Sequence, residues 1–211
     1  MELPLNQVIC GNSLEILKTF PSSSIDLIIT DPPYKREYQY LWKPLGVEAM
    51  RLLKDGSSLL TLCGHYQLPR VINDLLESGL TYYWCCAIWN HQEPYFFKNQ
   101  LKVTWKPLLW FAKGKIPKHK TLLDGIKPTG AEKEFHAWGQ SESFARDYIE
   151  ALTTEKMVVV DPFLGGGTVC VVAQKLRRNW IGIDNDQKAC EIARERLAQK
   201  PLSFSVNRNY Q

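Results

Sequence analysis

Asp31-Pro32-Pro33-Tyr34 places a carboxylate, two prolines and a phenol directly after the apolar run Ile25-Asp26-Leu27-Ile28-Ile29-Thr30. The run reads as a buried strand. Two prolines neither continue a ladder nor open a helix interior, so they fix a rigid loop whose carbonyls are not committed to secondary structure. At the mouth of a sheet, the carboxylate, the carbonyls and the aromatic face can together hold a planar ring that bears an amino group. Taken alone, Asp31 would serve equally as a helix cap and Tyr34 as a packed core residue.

A second constellation lies downstream. Met157-Val158-Val159-Val160 leads into Asp161-Pro162-Phe163-Leu164-Gly165-Gly166-Gly167-Thr168, which reads as strand, glycine-rich turn and helix start. Glycines let backbone amides approach a ligand, and the helix N-terminus favours a carboxylate or phosphate. Ile181-Gly182-Ile183-Asp184 then sets an acid at the end of the next strand, about 20 residues on, where a Rossmann-like unit grips a ribose diol. No Lys-Ser/Thr follows the glycines, which argues against a P-loop. Asp161 would repel a pyrophosphate but suits an ammonium group. S-adenosylmethionine meets both demands, with its ribose at Asp184 and its amino group at Asp161. The bland alternative is a tight turn.

Lys98 to Lys120 contains seven lysines and no acid, interleaved with Trp105, Trp110, Phe111 and His119. Lys98, Lys102, Lys115, Lys118 and Lys120 read as a phosphate track for nucleic acid, with a solvated lysine-rich face as the alternative. Lys35 and Arg36 open the loop Lys35-Arg36-Glu37-Tyr38-Gln39-Tyr40, which would close over a base or fill a gap in a duplex, or simply pack as a loop. His65 and His91 read as surface turns.

The elements that must position these groups follow from periodicity. Strands are expected at Gln7–Cys10, Ile25–Thr30, Ser57–Cys63, Tyr82–Trp89, Leu108–Ala112, Met157–Val160 and Trp180–Ile183. The fifth of these is expected to include Val103-Thr104 as well, with Pro107 interrupting it. Helices are expected at Leu14–Phe20, Leu41–Leu53, Gln67–Ser78, Ser141–Leu152, Thr168–Leu176 and Gln187–Gln199. Tyr34 to Tyr40 reads as polar and mobile, and Pro201 to Gln211 as a loose tail. The stripe Ala189, Ile192, Ala193, Arg196, Leu197 reads as a helix face packed on a sheet. Strands alternating with helices predict a mostly parallel sheet covered on both faces. With 211 residues, 45% hydrophobic and 23% charged, the chain suits one α/β domain. The net charge of +4 permits an anionic partner without demanding one. Neither a signal peptide nor a membrane span is evident, so a cytoplasmic protein is expected. The six cysteines form no CxxC pair and read as buried free thiols in a reducing compartment, with no metal site.

With both motifs in view, the chain resembles the amino-methylating DNA methyltransferases, which methylate adenine N6 or cytosine N4. Asp31-Pro32-Pro33-Tyr34 matches the family's catalytic motif, and Asp161 to Thr168 its cofactor loop, usually DPFxGxGT. The catalytic motif comes first, an order typical of the circularly permuted β group. Gly11-Asn12-Ser13 resembles the Gly-Asp-Cys/Ser segment, with Asn12 in place of the acid. Phe135-His136-Ala137-Trp138-Gly139-Gln140-Ser141 resembles the segment before the cofactor loop, without its usual lysine. The resemblance implies a three-layer αβα Rossmann-like fold with a seven-stranded, mostly parallel sheet and one antiparallel strand. It also implies S-adenosylmethionine bound by Asp161, Pro162, Phe163, Gly165, Gly166, Gly167, Thr168, Asp184, His136 and Ser141, with no metal. Asp31 and the Pro32 carbonyl would accept the two amino hydrogens, with Pro33 rigidifying the loop and Tyr34 stacking on an extruded base.

A single domain spanning residues 1–211 is expected, with residues 114–134 as a short target-recognition insert. Such an insert implies a short recognition sequence, help from a second subunit as a homodimer, or weak specificity. Asp31 favours adenine N6, with cytosine N4 as the alternative. An RNA or protein amide methyltransferase and a non-catalytic nucleotide-binding module fit the motif order and the intact acids less well.

Overall fold

The computed structural model describes residues 2–89, 95–97, 101–116, 119–126 and 142–199. The chain runs through β1 (Gln7–Cys10), α1 (Ser13–Lys18), β2 (Ile25–Thr30), α2 (Trp42–Leu52), β3 (Leu53–Leu62), α3 (Leu68–Glu77), β4 (Thr81–Trp89) and the small hairpin β5 (Tyr95–Phe97) and β6 (Leu101–Val103). It continues through β7 (Trp105–Ala112), β8 (Gly125–Ile126), α4 (Glu142–Leu152), β9 (Val158–Asp161), α5 (Thr168–Lys175), β10 (Asn179–Asp184) and α6 (Gln187–Ala198).

The main sheet has the order β1-β10-β9-β2-β3-β7-β4-β8. Every pairing in it is parallel except those of β7, which runs antiparallel to both β3 and β4. The expected single antiparallel strand is therefore present. An eighth strand, the two-residue β8, extends the expected seven. It was not legible because two residues carry no periodicity.

Alternation along the strands sorts side chains to two faces. Leu27, Ile29, Leu60, Leu108, Trp110 and Val159 pack in one core with Phe144, Tyr148, Val169 and Ala193 from α4, α5 and α6. Ile25, Ile28, Leu59, Leu109, Phe111 and Val160 pack in another with Leu17, Leu45 and Val71 from α1, α2 and α3. Helices thus cover both faces, giving three layers. The six residues of β2 are all buried, so its C-terminal end is firmly placed.

Two expectations need correction. Pro107 does not interrupt its strand. The Cys63 N–H donates to the Pro107 carbonyl at 3.2 Å. The missing proline N–H would point to the same side, past the end of β3, so the only bond forgone is one to the Cys63 carbonyl and the pairing with β4 is kept. The polar segment after Tyr34 is also ordered locally, with a 3₁₀ turn at Arg36–Leu41 that ends on the buried Leu41. Of the six free thiols, Cys63, Cys86, Cys170 and Cys190 are buried as expected, whereas Cys85 is half-buried and Cys10 exposed. The tail at 201–211 lies outside the described residues. No helix among the described residues is long and apolar enough to cross a membrane.

Candidate active site

β2 and β9 lie side by side, with Leu27 opposite Val159 and Ile28 opposite Val160. From β9 the chain winds outward to β10, and from β2 it winds the other way to β3. A crevice at the carboxyl ends of two such strands is where open α/β sheets bind ligands. The two motifs seen in the sequence meet there. The Thr30 hydroxyl, the residue before Asp31, donates to Asp161 Oδ1 at 2.8 Å.

On the β2 side, Asp31 accepts a hydrogen bond from the Tyr34 hydroxyl. The Tyr34 carbonyl accepts one from the Gln67 amide, so the loop is held at both backbone and side chain. Lys106 Nζ, at the start of β7, lies 5.4 Å from the centre of the Tyr34 ring. Beside it, the rings of His65 and Trp105 meet edge to face at 4.5 Å. Burial holds the Asp31 carboxyl above its ordinary range, and the Lys106 charge and the Tyr34 hydrogen bond pull it back down. Burial and the Asp31 charge push the Tyr34 phenol up, so it stays a neutral donor. Burial lowers His65, leaving a neutral imidazole near neutrality.

On the β9 side, Asp161 is 3% exposed. Burial pushes it up to about 7, opposed by hydrogen bonds from Thr30 and the Phe163 N–H. Asp184 Oδ2 accepts from the Gly165 N–H at 2.8 Å, and Oδ1 from the Asp186 N–H at 3.0 Å. Asp184 is thereby fixed against the glycine loop. A Cβ built on Gly165 would meet nothing within 4 Å, so open space lies beside the loop, as a nucleoside ligand needs. Two lone pairs per carboxylate oxygen leave Asp184 able to accept hydroxyls as well. The Arg196 guanidinium, reaching from α6, donates to the Gly166 carbonyl and, at 3.3 Å, to the Thr168 hydroxyl. Pro162 lies in the same turn, and Gly167 precedes the first residue of α5. Asn12 caps α1 through the Leu14 N–H at 3.0 Å, a structural use of that side chain. Among the described residues no group of His, Cys, Asp or Glu could hold a metal ion.

The lysine-rich stretch does not form one track. Lys102 on β6 and Lys106 lie on the approach to β7 and its mouth end. Lys113 lies at the opposite end, where its N–H donates to Ser57 O and its Nζ to Leu53 O at the start of β3. Lys115 follows it, and Lys120 pairs with Glu150 at 3.1 Å. Lys120 also lines a groove of about 400 Å³ with Arg146, Lys175, Arg177 and Arg178, at the C-terminal ends of α4 and α5. The two groups are separate because β7 runs against its neighbours and carries the chain from mouth to base. Lys35 and Arg36 stay at the mouth, with Arg36 donating to the Tyr66 hydroxyl at 3.3 Å. His136, Ser141, Lys98, Lys118 and His91 lie outside the described residues.

Sequence reasoning missed Gln67, Lys106 and Arg196. Only the last two left a signal, each as a lone cation in an otherwise apolar strand or helix stripe.

A strand-end crevice with Asp31 on one side and Asp184 beside an open glycine loop on the other is the arrangement of a nucleoside-dependent group-transfer enzyme. The chain belongs to the DNA methylase family N6_N4_Mtase, whose profile matches residues 25–195. Type II methyltransferase M.HinfI from Haemophilus influenzae is 28% identical, over 92% of this chain and 69% of that protein. The M1.HpyAVI-SAM complex has a TM-score of 0.76 and 25% identity, over 92% of this chain and 99% of the other. The PvuII cytosine-N4-specific DNA methyltransferase has a TM-score of 0.80 at 19% identity, over 93% and 88% of the chains, and shows the shared fold.

Proposed function

We propose that this chain transfers the methyl group of S-adenosylmethionine to the exocyclic amino group of a DNA base extruded from the helix, adenine N6 before cytosine N4. The observation that carries the reading is the Thr30–Asp161 hydrogen bond, which seats the catalytic and cofactor loops in one crevice. When bound, S-adenosylmethionine supplies an electrophilic methyl group on a sulfonium. Asp184 would hold its ribose and Asp161 its ammonium, with the Gly165 to Gly167 backbone alongside. The name of M1.HpyAVI-SAM supports the same cofactor here.

The amino nitrogen of a base is a poor nucleophile because its lone pair is delocalised into the ring. Asp31, accepting one amino hydrogen while the Pro32 carbonyl accepts the other, favours the pyramidal nitrogen whose lone pair is available. Tyr34 stacks on the base and Pro33 stiffens the loop. The remaining contribution is alignment, which is worth several kcal/mol. Cytosine N4 remains the second reading because the PvuII enzyme, with the same fold, is cytosine-N4-specific. In this reading residues 1–211 form one permuted domain. Reading of base edges falls to residues 114–134, without phosphate contacts from Lys115 or Lys120, and is completed by a second subunit, as a type II modification enzyme.

Incubation with labelled cofactor and genomic DNA, followed by nucleoside mass analysis, tests the reading. Labelled N6-methyladenine is expected. An Asp31→Ala variant that methylates at the wild-type rate would remove the mechanism. Calorimetry in which Asp184→Ala binds S-adenosylmethionine as tightly as wild type would remove the cofactor assignment.

A further inference from the structure

We infer that Lys106 is a positioning residue for amino-group methylation, its ammonium holding the Asp31 carboxylate in its anionic, hydrogen-accepting form. The inference rests on Asp31 being the amino-group acceptor. β7 is apolar from Pro107 to Ala112, and Lys106 stands at its mouth end. Because β7 is antiparallel, its beginning rather than its end reaches the crevice. The Cys63 N–H bond to Pro107 ties the backbone next to Lys106 to the end of β3, and the ammonium lies over the Tyr34 ring.

The groups around Asp31 explain why a cation is needed. Tyr34 lies on the same loop and donates to it. The Cys63 thiol at the end of β3 is pushed up to about 12 by burial, so it is neutral and brings no compensating charge. Asp161 on β9 is a second acid close by, itself raised by burial and in part by the Asp31 charge, so it offers no compensating cation. Burial also favours the neutral acid at Asp31, and the Lys106 charge works against it. A protonated Asp31 would offer a donor where the amino group needs an acceptor. An opposite charge nearby favours the carboxylate.

Lys106→Met keeps the packing on Tyr34 and removes the charge, and Lys106→Arg restores the charge. Two measurements are needed: pH profiles of kcat with KM for DNA, and carbon NMR titration of the Asp31 carboxyl, assigned with Asp31→Asn. The expected result for Lys106→Met is a severalfold loss of kcat at the acid end that closes at the alkaline end. KM for DNA should be nearly unchanged and the Asp31 titration should move to higher pH. Lys106→Arg should reverse both effects. Parallel pH profiles with an unmoved Asp31 titration would overturn the inference, and so would a change in KM alone, which would make Lys106 a phosphate contact. Full activity in Asp31→Ala would instead overturn the underlying reading. The NMR titration does not depend on turnover, so the two failures stay distinguishable.

Discussion

Asp161 has the most informative titration of any residue in the crevice. Burial raises it from its ordinary value of 3.8 to about 7, so in the folded protein it stays protonated over a range where the unfolded chain is ionised. The folded state then holds the extra proton. Its contribution to stability is fully present below 3.8 and is lost as pH rises through about 7. Thermal melts of the ligand-free protein should show this decline, and Asp161→Asn should flatten it. An ammonium-bearing ligand favours the ionised form, so affinity for S-adenosylmethionine should rise across the same window, as read by calorimetry at several pH values. Asp31, Tyr34, Asp161 and Asp184 were legible in the sequence because each follows a strand at a fixed chemical spacing. Thr30 and Gln67 were not, since their roles exist only once β2 meets β9 and the turn after β3 meets the Asp31 loop. Lys106 lay in plain view, but only the reversed direction of β7 brings it to the mouth, over the Tyr34 ring.

At the scale of elements, two strand contacts decide whether the crevice forms. Asp26 on β2 is 8% exposed and accepts from the Val158 N–H of β9 and from Lys54 Nζ, both at 2.8 Å. Asp26→Ala would leave that strand N–H buried and unpaired, a loss of about 2 kcal/mol in chemical denaturation. Gly182 on β10 is required by close approach, because a Cβ there would lie 2.5 Å from Leu164 Cδ1 and 2.9 Å from Cys170 Sγ. Gly182→Ala should cost roughly 1–3 kcal/mol through overpacking and loosen the turn that carries the glycine loop. A weaker, slower-binding cofactor site in a still-folded variant is the expected readout. Most strands and helices were legible because their periodicity is strong. The ends of β3 and β7 were not, because Lys54, Gly56 and Pro107 read locally as breakers while the sheet satisfies the backbone around them.

For the whole molecule, the direction of β7 divides the positive charge between two ends of the sheet. Only the mouth end lies beside the Asp31 loop. If Lys35 and Arg36 contact phosphates, replacing either with Ala should reduce the salt dependence of DNA binding by about one ion. Lys115→Ala and Lys120→Ala should leave it unchanged, since Lys120 is engaged with Glu150. Equilibrium binding at several salt concentrations checks both outcomes. Composition and lysine spacing alone suggested one continuous track, because a linear sequence does not show that a strand has turned over between two of its charges.

The bond from Tyr34 to Asp31 also sets an order of events. Until a base arrives, the phenol caps the acceptor, so water and stray amines compete with an occupied group. If an incoming amine takes the place of the phenol on Oδ1, the released ring is free to lie against the base. Capture of the base and release of the cap would then be one exchange, faster when the cap is absent. A Tyr34→Phe enzyme would idle uncapped. It should seize a fluorescent base analogue faster than wild type in stopped-flow traces.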